Sequence, residues 1–312
     1  MSGKQTERLA ADAAGLARAA ELLRAGGLVA LPTETVYGLA ARADCEPAVA
    51  AIFRAKGRPE FNPLIVHVAS LAMARSLGHF DDRADQLAKA FWPGPLTVVV
   101  PLESGAGVVP AVTAGLPTIA LRLPDHPLMR AVLGALGVPL AAPSANRSGA
   151  VSPTTAEHAA HSLAGRIDAI VDGGPAERGL ESTIVAVREG GWQVLRPGPI
   201  SHERIARLLG PPLAARSSGI EAPGQLASHY SPGKPVRLDA RSAEANEFMI
   251  GFGPVEGDCN LAPDSDLALA AARLYACLHQ AAASPRPRVA VAAIPAQGIG
   301  AAINDRLRRA AS

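Results

Sequence analysis

Hydrophobic and polar positions alternate along this chain in two rhythms. Leu9, Ala13, Leu16, Ala20 and Leu23 recur at steps of three and four, which predicts an amphipathic helix over 6–25, closed by Gly26-Gly27. Short apolar runs predict strands at 28–31, 64–69, 97–102, 118–123, 140–143 and 169–172. Between them the three-and-four rhythm predicts helices at 83–91, 127–136 and 154–164. A further helix is predicted from a cap at Asp44 through Phe53 to a stop at Gly57. The runs 183–187 and 193–195 flank Gly190-Gly191 and predict a hairpin. Hairpins and helices interleaved in this way predict a mixed sheet.

The rhythm lapses over 211–234, which is rich in Pro, Gly and Ser and reads as a linker. Beyond it, strands at 236–238, 248–250 and 289–293 alternate with helices at about 264–283 and 298–310, a small α/β unit. The expected organisation is therefore a unit over 1–210, the linker, and a unit over 235–312. Gly251-Phe252-Gly253 looks like the start of a dinucleotide fingerprint, but Pro254 and the position of Gly257 break the spacing, and a turn is expected.

Composition narrows the function classes. The chain has 312 residues, 48% hydrophobic and 19% charged, so a packed core is expected and disorder is not. Aromatics at 4% are too few for a stacking platform on single-stranded nucleic acid, and a formal net charge of +2 does not by itself indicate a nucleic-acid partner. Three cysteines, Cys45, Cys259 and Cys277, form no CxxC pair, which argues against zinc and against a disulfide framework. Charges throughout the first residues and the lack of a long apolar run speak against a signal peptide or a membrane span. A cytoplasmic protein is expected.

Five segments carry candidate chemistry. Pro32-Thr33-Glu34-Thr35-Val36-Tyr37-Gly38-Leu39 follows a strand and places two hydroxyls, a carboxylate and a phenol in a strand-end loop, either a ligand loop or a polar turn. Lys56-Gly57-Arg58-Pro59, with Asn62-Pro63 behind it, sets two cations around a glycine. The pair suits a polyphosphate, or else it is a solvated charge pair at a helix C-terminus. It is not a Walker loop. Along 118–123, Thr118, Ala120 and Arg122 share one strand face, where they could grip an anion, and His67 lies mid-strand opposite Val66 and Val68. Ser144-Ala145-Asn146, with Ser148 and Ser152 nearby, offers small donors for phosphate oxygens or a capped helix start. Gly179-Leu180-Glu181-Ser182-Thr183 and Arg196-Pro197-Gly198 bracket the predicted hairpin.

Taken as an ordered set, PTETVYGL, KGRP, FWPGPLT, SAN, GLEST and RPG resemble the YrdC-type threonylcarbamoyl-AMP synthases. Gln225-Leu226-Ala227-Ser228-His229-Tyr230-Ser231-Pro232 and Ala301-Ala302-Ile303-Asn304-Asp305-Arg306 resemble the linker and tail of the long, two-domain form, so the likeness spans nearly the whole chain. The resemblance implies an α/β fold with a YrdC-like twisted, mixed but mostly antiparallel sheet and helices, plus a small Rossmann-like C-terminal domain. It implies a nucleotidyltransferase that joins L-threonine, bicarbonate and ATP, with Mg²⁺, into threonylcarbamoyl-AMP and pyrophosphate. Downstream transferase proteins would move the group to adenosine in tRNA, with possible tRNA contact by the basic face and no membrane.

The resemblance also implies roles. Thr35, His67, Arg122 and Ser182 would bind threonine, with Arg122 forked onto its carboxylate. Lys56, Arg58, Asn62, Thr118, Ser144, Asn146, Ser152 and Arg196 would hold ATP, with Lys56 and Arg58 as catalytic cations. Tyr230 would close over the nucleotide, and His67 is a candidate base for the threonine amine. Two other readings are an RNA-binding module without ATP turnover and a carbamoyl transfer in metallocentre maturation. The second would call for CxxC pairs that the sequence lacks.

Overall fold

Residues 5–213, 221–223 and 229–312 are described in a computed structural model of the chain. The expected linker residues Gln225, Leu226, Ala227 and Ser228 lie outside them. The first unit opens with β1 (Glu7–Ala10), α1 (Ala13–Arg24), β2 (Val29–Leu31), β3 (Gly38–Arg42), α2 (Glu46–Lys56) and β4 (Ile65–His67). It continues with α3 (Leu71–Leu77), α4 (Asp82–Phe91), β5 (Leu96–Pro101), α5 (Pro110–Thr113), β6 (Thr118–Arg122), α6 (Pro127–Leu136) and β7 (Leu140–Ala141). It closes with α7 (Ala156–Leu163), β8 (Ala169–Asp172), the hairpin β9 (Thr183–Arg188) and β10 (Gly191–Arg196), and α8 (His202–Leu209).

These strands form one sheet in the order β1-β8-β2-β3-β7-β4-β6-β5-β9-β10. Five of its pairings are antiparallel and four parallel, the mixed and mostly antiparallel sheet that was expected. One face packs on α2 and α4 through Leu39, Val66, Val98, Val100 and Leu121. At the β1–β8–β2 end, Val29, Leu31, Ala169 and Val171 pack instead against Leu23 of α1 and Met129, Val132 and Leu133 of α6.

The second unit has β11 (Val236–Arg237), β12 (Glu247–Gly251), β13 (Cys259–Asn260) and β14 (Arg288–Val291) in a parallel sheet of order β11-β14-β12-β13. Helices α9 (Leu267–Ala283) and α10 (Gly300–Ala310) accompany it, and Leu274, Leu278, Ile303 and Leu307 share its core with Ile250 and Val291. β12 ends at Gly251 and the chain turns at Gly253-Pro254, where a turn was expected: Phe252 bridges to Val255, and Gly253 sits at φ 57°.

Two sequence expectations need correction. The single helix over 6–25 is a strand followed by a helix. Glu7–Ala10 pairs in parallel with Ala169–Asp172, and Asp12 then caps α1 by accepting from the Gly15 amide. Leu9 and Ala13 satisfy the four-residue step, but they belong to different elements, and the partner strand outweighs local propensity. Asp44 does not cap α2 either. Its carboxylate accepts from Arg42 at 2.8–2.9 Å, and the cap position falls to Cys45, which gives no side-chain hydrogen bond. Strands β3 and β13 and helices α3, α5 and α8 were not among the elements expected from the sequence.

Candidate active site

The site lies on the sheet face opposite α2 and α4. Side chains alternate along a strand, so Ile65 and His67 of β4 share that face, as do Ala120 and Arg122 of β6. Register sets Ile65 opposite Ala120 and His67 opposite Arg122. Ile65, Val99, Ala120, Ile184 and Ala186 form a small apolar floor. Above it is a cavity lined by Thr35, Arg58, His67, Arg122, Ser144, Glu181, Arg196, His229 and Tyr230, among others. Its volume is about 40 Å³, room for very few waters.

Each cation arrives by a local device. Helix α2 ends where Gly57 takes the left-handed conformation at φ 61°, which turns Arg58 toward the cavity while the Arg58 amide bonds back to the Phe53 carbonyl. The Arg58 guanidinium donates to the Asn62 and Pro63 carbonyls at 3.2 and 2.9 Å. Arg196 ends β10 at a register shift. Its Nε donates to the Ser182 carbonyl and its Nη2 to Ser182 Oγ, both at 3.1 Å. Ser182 Oγ also meets Thr97 Oγ1 at 2.7 Å. Gly198 permits this approach, because a Cβ there would collide with the Thr183 amide and the Glu181 carbonyl.

Arg58 and Arg196 are thus nearly sealed from solvent, yet among the described residues every acceptor they have is neutral. Burial, and then the field of Arg196, push Arg58 down to about 10, and burial also lowers Arg196. Arg196 also feels the field of Glu181, but that carboxylate hydrogen-bonds to Ser152, Tyr275 and Arg306, so among the described residues neither guanidinium has an ion-pair partner, and the site is suited to an anion.

Lys56 is buried beside them but does not line the cavity. Its three donors go to the Ser144 and Asn146 carbonyls, both at 2.5 Å, and to Asn146 Oδ1 at 3.5 Å. Burial, then Arg58, hold its pKa well below the ordinary lysine range. In this structure Lys56 secures the Ser144–Asn146 turn. Asn146 Nδ2 braces the same turn through the Arg147 and Ala150 carbonyls.

The neighbouring end carries Thr35, His67 and Arg122. Thr33 Oγ1 meets Thr35 Oγ1 at 2.8 Å and donates to the Val36 carbonyl at 2.6 Å, which fixes the strand-end loop. Arg122 donates through Nη2 to Glu34 at 2.7 Å and through Nε to the Gly94 carbonyl at 3.3 Å, with both partners of the ion pair buried. Among the described residues neither ring nitrogen of His67 has a partner, nor does Asn62 Oδ1, although all three are buried. Burial, then Arg122, hold His67 neutral. Its two free nitrogens therefore suit hydrogen bonding to a ligand, and its low affinity for protons makes it a poor base for an ammonium.

Seven of the residues selected from sequence line one cavity: Thr35, Arg58, His67, Arg122, Ser144, Arg196 and Tyr230. Lys56, Asn62, Asn146, Ser152 and Ser182 stand directly behind that lining through the contacts above, or through Ser152 Oγ on Glu181. Thr118 is on the expected strand face but not on the lining. Sequence reasoning gave no role to Glu34, Glu181, His229, Tyr275 or Arg306. The two carboxylates lie inside quoted motifs, but a carboxylate in an anion cleft reads as a contrary signal until its counter-ion is seen.

Fold and cleft define an α/β protein with buried guanidinium groups at one end of its cavity and hydrogen-bonding and charged groups at the other. The chain belongs to the family of the Sua5, YciO and YrdC proteins, in its two-domain form. A family model described as telomere recombination matches residues 21–198, and one described as threonylcarbamoyl-AMP synthase, C-terminal domain, matches 200–312. Threonylcarbamoyl-AMP synthase of Bacillus subtilis is 39% identical over 98% of this chain and 95% of its own length. The protein of that name from Pyrococcus abyssi is 38% identical over 94% of this chain and 92% of its own. A crystal structure of P. abyssi Sua5 complexed with L-threonine superposes with a TM-score of 0.89 at 33% identity, covering 98% of this chain and 97% of that one.

Proposed function

We propose that this chain is a threonylcarbamoyl-AMP synthase that joins L-threonine, bicarbonate and ATP with release of pyrophosphate. The observation that carries the reading is the pair Arg58 and Arg196, buried together with neutral acceptors only, in the same cavity as Thr35, His67 and Arg122. The phosphates would complete the coordination of the pair, with Ser144 beside them and Lys56 and Asn146 holding the turn that presents it. Threonine would sit toward Arg122. Glu34 fixes one edge of that guanidinium, and Nη1, which makes no hydrogen bond among the described residues, is left for the substrate carboxylate.

The chemistry follows from charge. The deprotonated threonine amine attacks the bicarbonate carbon, whose hydroxyl leaves as water with a proton from the nitrogen, and an oxygen of the resulting carbamate attacks the α-phosphorus as the bond to pyrophosphate breaks. The nucleophile is already anionic, so the barrier lies in bringing two anions together. Preorganised guanidinium groups offset the repulsion and hold the charge as it develops. Burial of the reacting groups would also limit the access of water to the labile carbamate. Mg²⁺ would enter with ATP, held chiefly by phosphate oxygens and water. That fits a cleft in which Glu181 and Glu34 are both engaged by protein donors.

The product would pass to transferase proteins acting on tRNA, and the free cysteines suit a reducing, cytoplasmic setting. Among the described residues no helix is long and apolar enough to cross a membrane. RNA binding as the sole activity is not favoured, because Arg58, Arg122 and Arg196 are too buried to reach a nucleic-acid backbone. The test is mass spectrometry of the product formed from ATP, threonine and ¹³C-bicarbonate. A labelled threonylcarbamoyl-AMP with equimolar pyrophosphate is expected, and its absence from folded, ATP-binding protein would overturn the proposal.

A further inference from the structure

A carboxylate lines this anion cleft, and the structure shows what keeps it harmless. Glu181 is buried between the two units. Its Oε1 accepts from Ser152 Oγ at 2.5 Å, while its Oε2 accepts from Tyr275 Oη at 2.7 Å and Arg306 Nε at 3.0 Å. Tyr275 lies on α9 and Arg306 on α10, so both donors to Oε2 come from the second unit. Arg306 is fully buried, also donates to the Pro197 carbonyl at 2.9 Å, and lies over the Tyr230 ring at 5.3 Å. Immediately after Glu181, Ser182 holds Arg196.

We infer that Arg306, seconded by Tyr275, is a positioning residue of the second unit that occupies Glu181 and so leaves Arg196 free to take the phosphates of the nucleotide. The inference rests on the function proposed above and deepens it, because it gives the second unit a task at the ATP site. Without Arg306, Glu181 would be an anion one residue from the peptide that holds Arg196. The two charges would then pair with each other, and an incoming polyphosphate would have to displace that pair. Two buried opposite charges in a low dielectric attract strongly, so competition at this spot acts directly on nucleotide affinity. Among the described residues Arg122, Thr35 and His67 make no hydrogen bond to Arg306 or Glu181, and only Ser182 adjoins both ends, so threonine affinity should change far less than ATP affinity.

The experiment measures ATP and L-threonine binding separately by calorimetry on the full chain, with Arg306→Met, Arg306→Met/Glu181→Gln and Arg306→Lys. Arg306→Met is expected to weaken ATP at least tenfold and leave threonine within twofold. Adding Glu181→Gln is expected to restore ATP to within threefold of wild type, which loss of packing alone would not allow. Arg306→Lys, which keeps the charge, is expected to weaken ATP less than threefold. The inference is overturned if Arg306→Met binds ATP like wild type, or if the double variant stays as weak as the single one. Where Arg306→Met does not fold, Tyr275→Phe serves instead: it removes one donor to Glu181 at nearly constant volume, and a weakened ATP affinity restored by Glu181→Gln is again expected. Wild-type protein that binds no ATP would sink the proposed function itself, whereas ATP binding indifferent to Arg306 and Tyr275 sinks only this inference.

Discussion

Replacing Arg58 by methionine should make the protein at least as stable and nearly inactive. The side chain is 8% exposed, and its guanidinium is pushed from 12.5 to about 10 by burial and by Arg196. That depression corresponds to roughly 3 kcal/mol against the folded cation at neutral pH. Its two hydrogen bonds to carbonyls return roughly 1 kcal/mol each. Methionine fills a similar volume without charge, so the balance favours Arg58→Met by about 1 kcal/mol. Adenylate formation should meanwhile fall ~10²-fold or more, the scale for removing one preorganised donor to transition-state charge. Urea denaturation with and without ATP and a pyrophosphate-release assay read both sides. Saturating ATP at about 100 times its Kd should raise wild-type stability by roughly 2.7 kcal/mol and the variant's far less. A variant that is less stable by over ~2 kcal/mol yet turns over within twofold of wild type would refute the reasoning.

The other expected outcomes concern the threonine end, the ring at the nucleotide end and acid pH. Arg122→Lys cannot serve Glu34, the Gly94 carbonyl and a carboxylate together. The KM for threonine should rise about 10–100-fold, the worth of a charged hydrogen bond, with ATP affinity within twofold, and an unchanged KM would count against the assignment. Tyr230→Ala removes a ring stacked on Tyr275 at 5.5 Å and should weaken ATP by about 1–3 kcal/mol, whereas unchanged affinity by calorimetry would dismiss its role over the nucleotide. Burial holds His229 at about 3 and His279 at about 4, both below the ordinary 6.5, so the unfolded chain takes up their protons first. The stability they confer is complete above pH 6.5 and falls as pH drops toward 4. At pH 5.5 the loss should be roughly 2–3 kcal/mol, and equal urea midpoints at pH 7.5 and 5.5 would contradict it.

What was legible in the sequence was what short-range rules govern. The hairpin Thr183–Arg188/Gly191–Arg196, helix Pro127–Leu136, the left-handed stop at Gly57 and the two faces of Thr118–Arg122 each follow from a period or a turn residue within a few positions. The ordered motifs told which residues matter because each is a compact string. Where strings and elements go is a long-range matter. Residues 7–10 became a strand only because Ala169–Asp172 was there to pair with, and Asp44 lost its cap to Arg42. The same limit divides the site. Arg58 and Arg196 could be nominated one at a time, but their mutual burial with neutral acceptors exists only once strands far apart in sequence lie side by side. Glu181 needed Arg306, 125 residues further along, before its charge made sense in an anion cleft. Local sequence sets backbone geometry and hydrogen-bonding capacity, whereas electrostatic meaning depends on distance and dielectric, which only the tertiary packing decides.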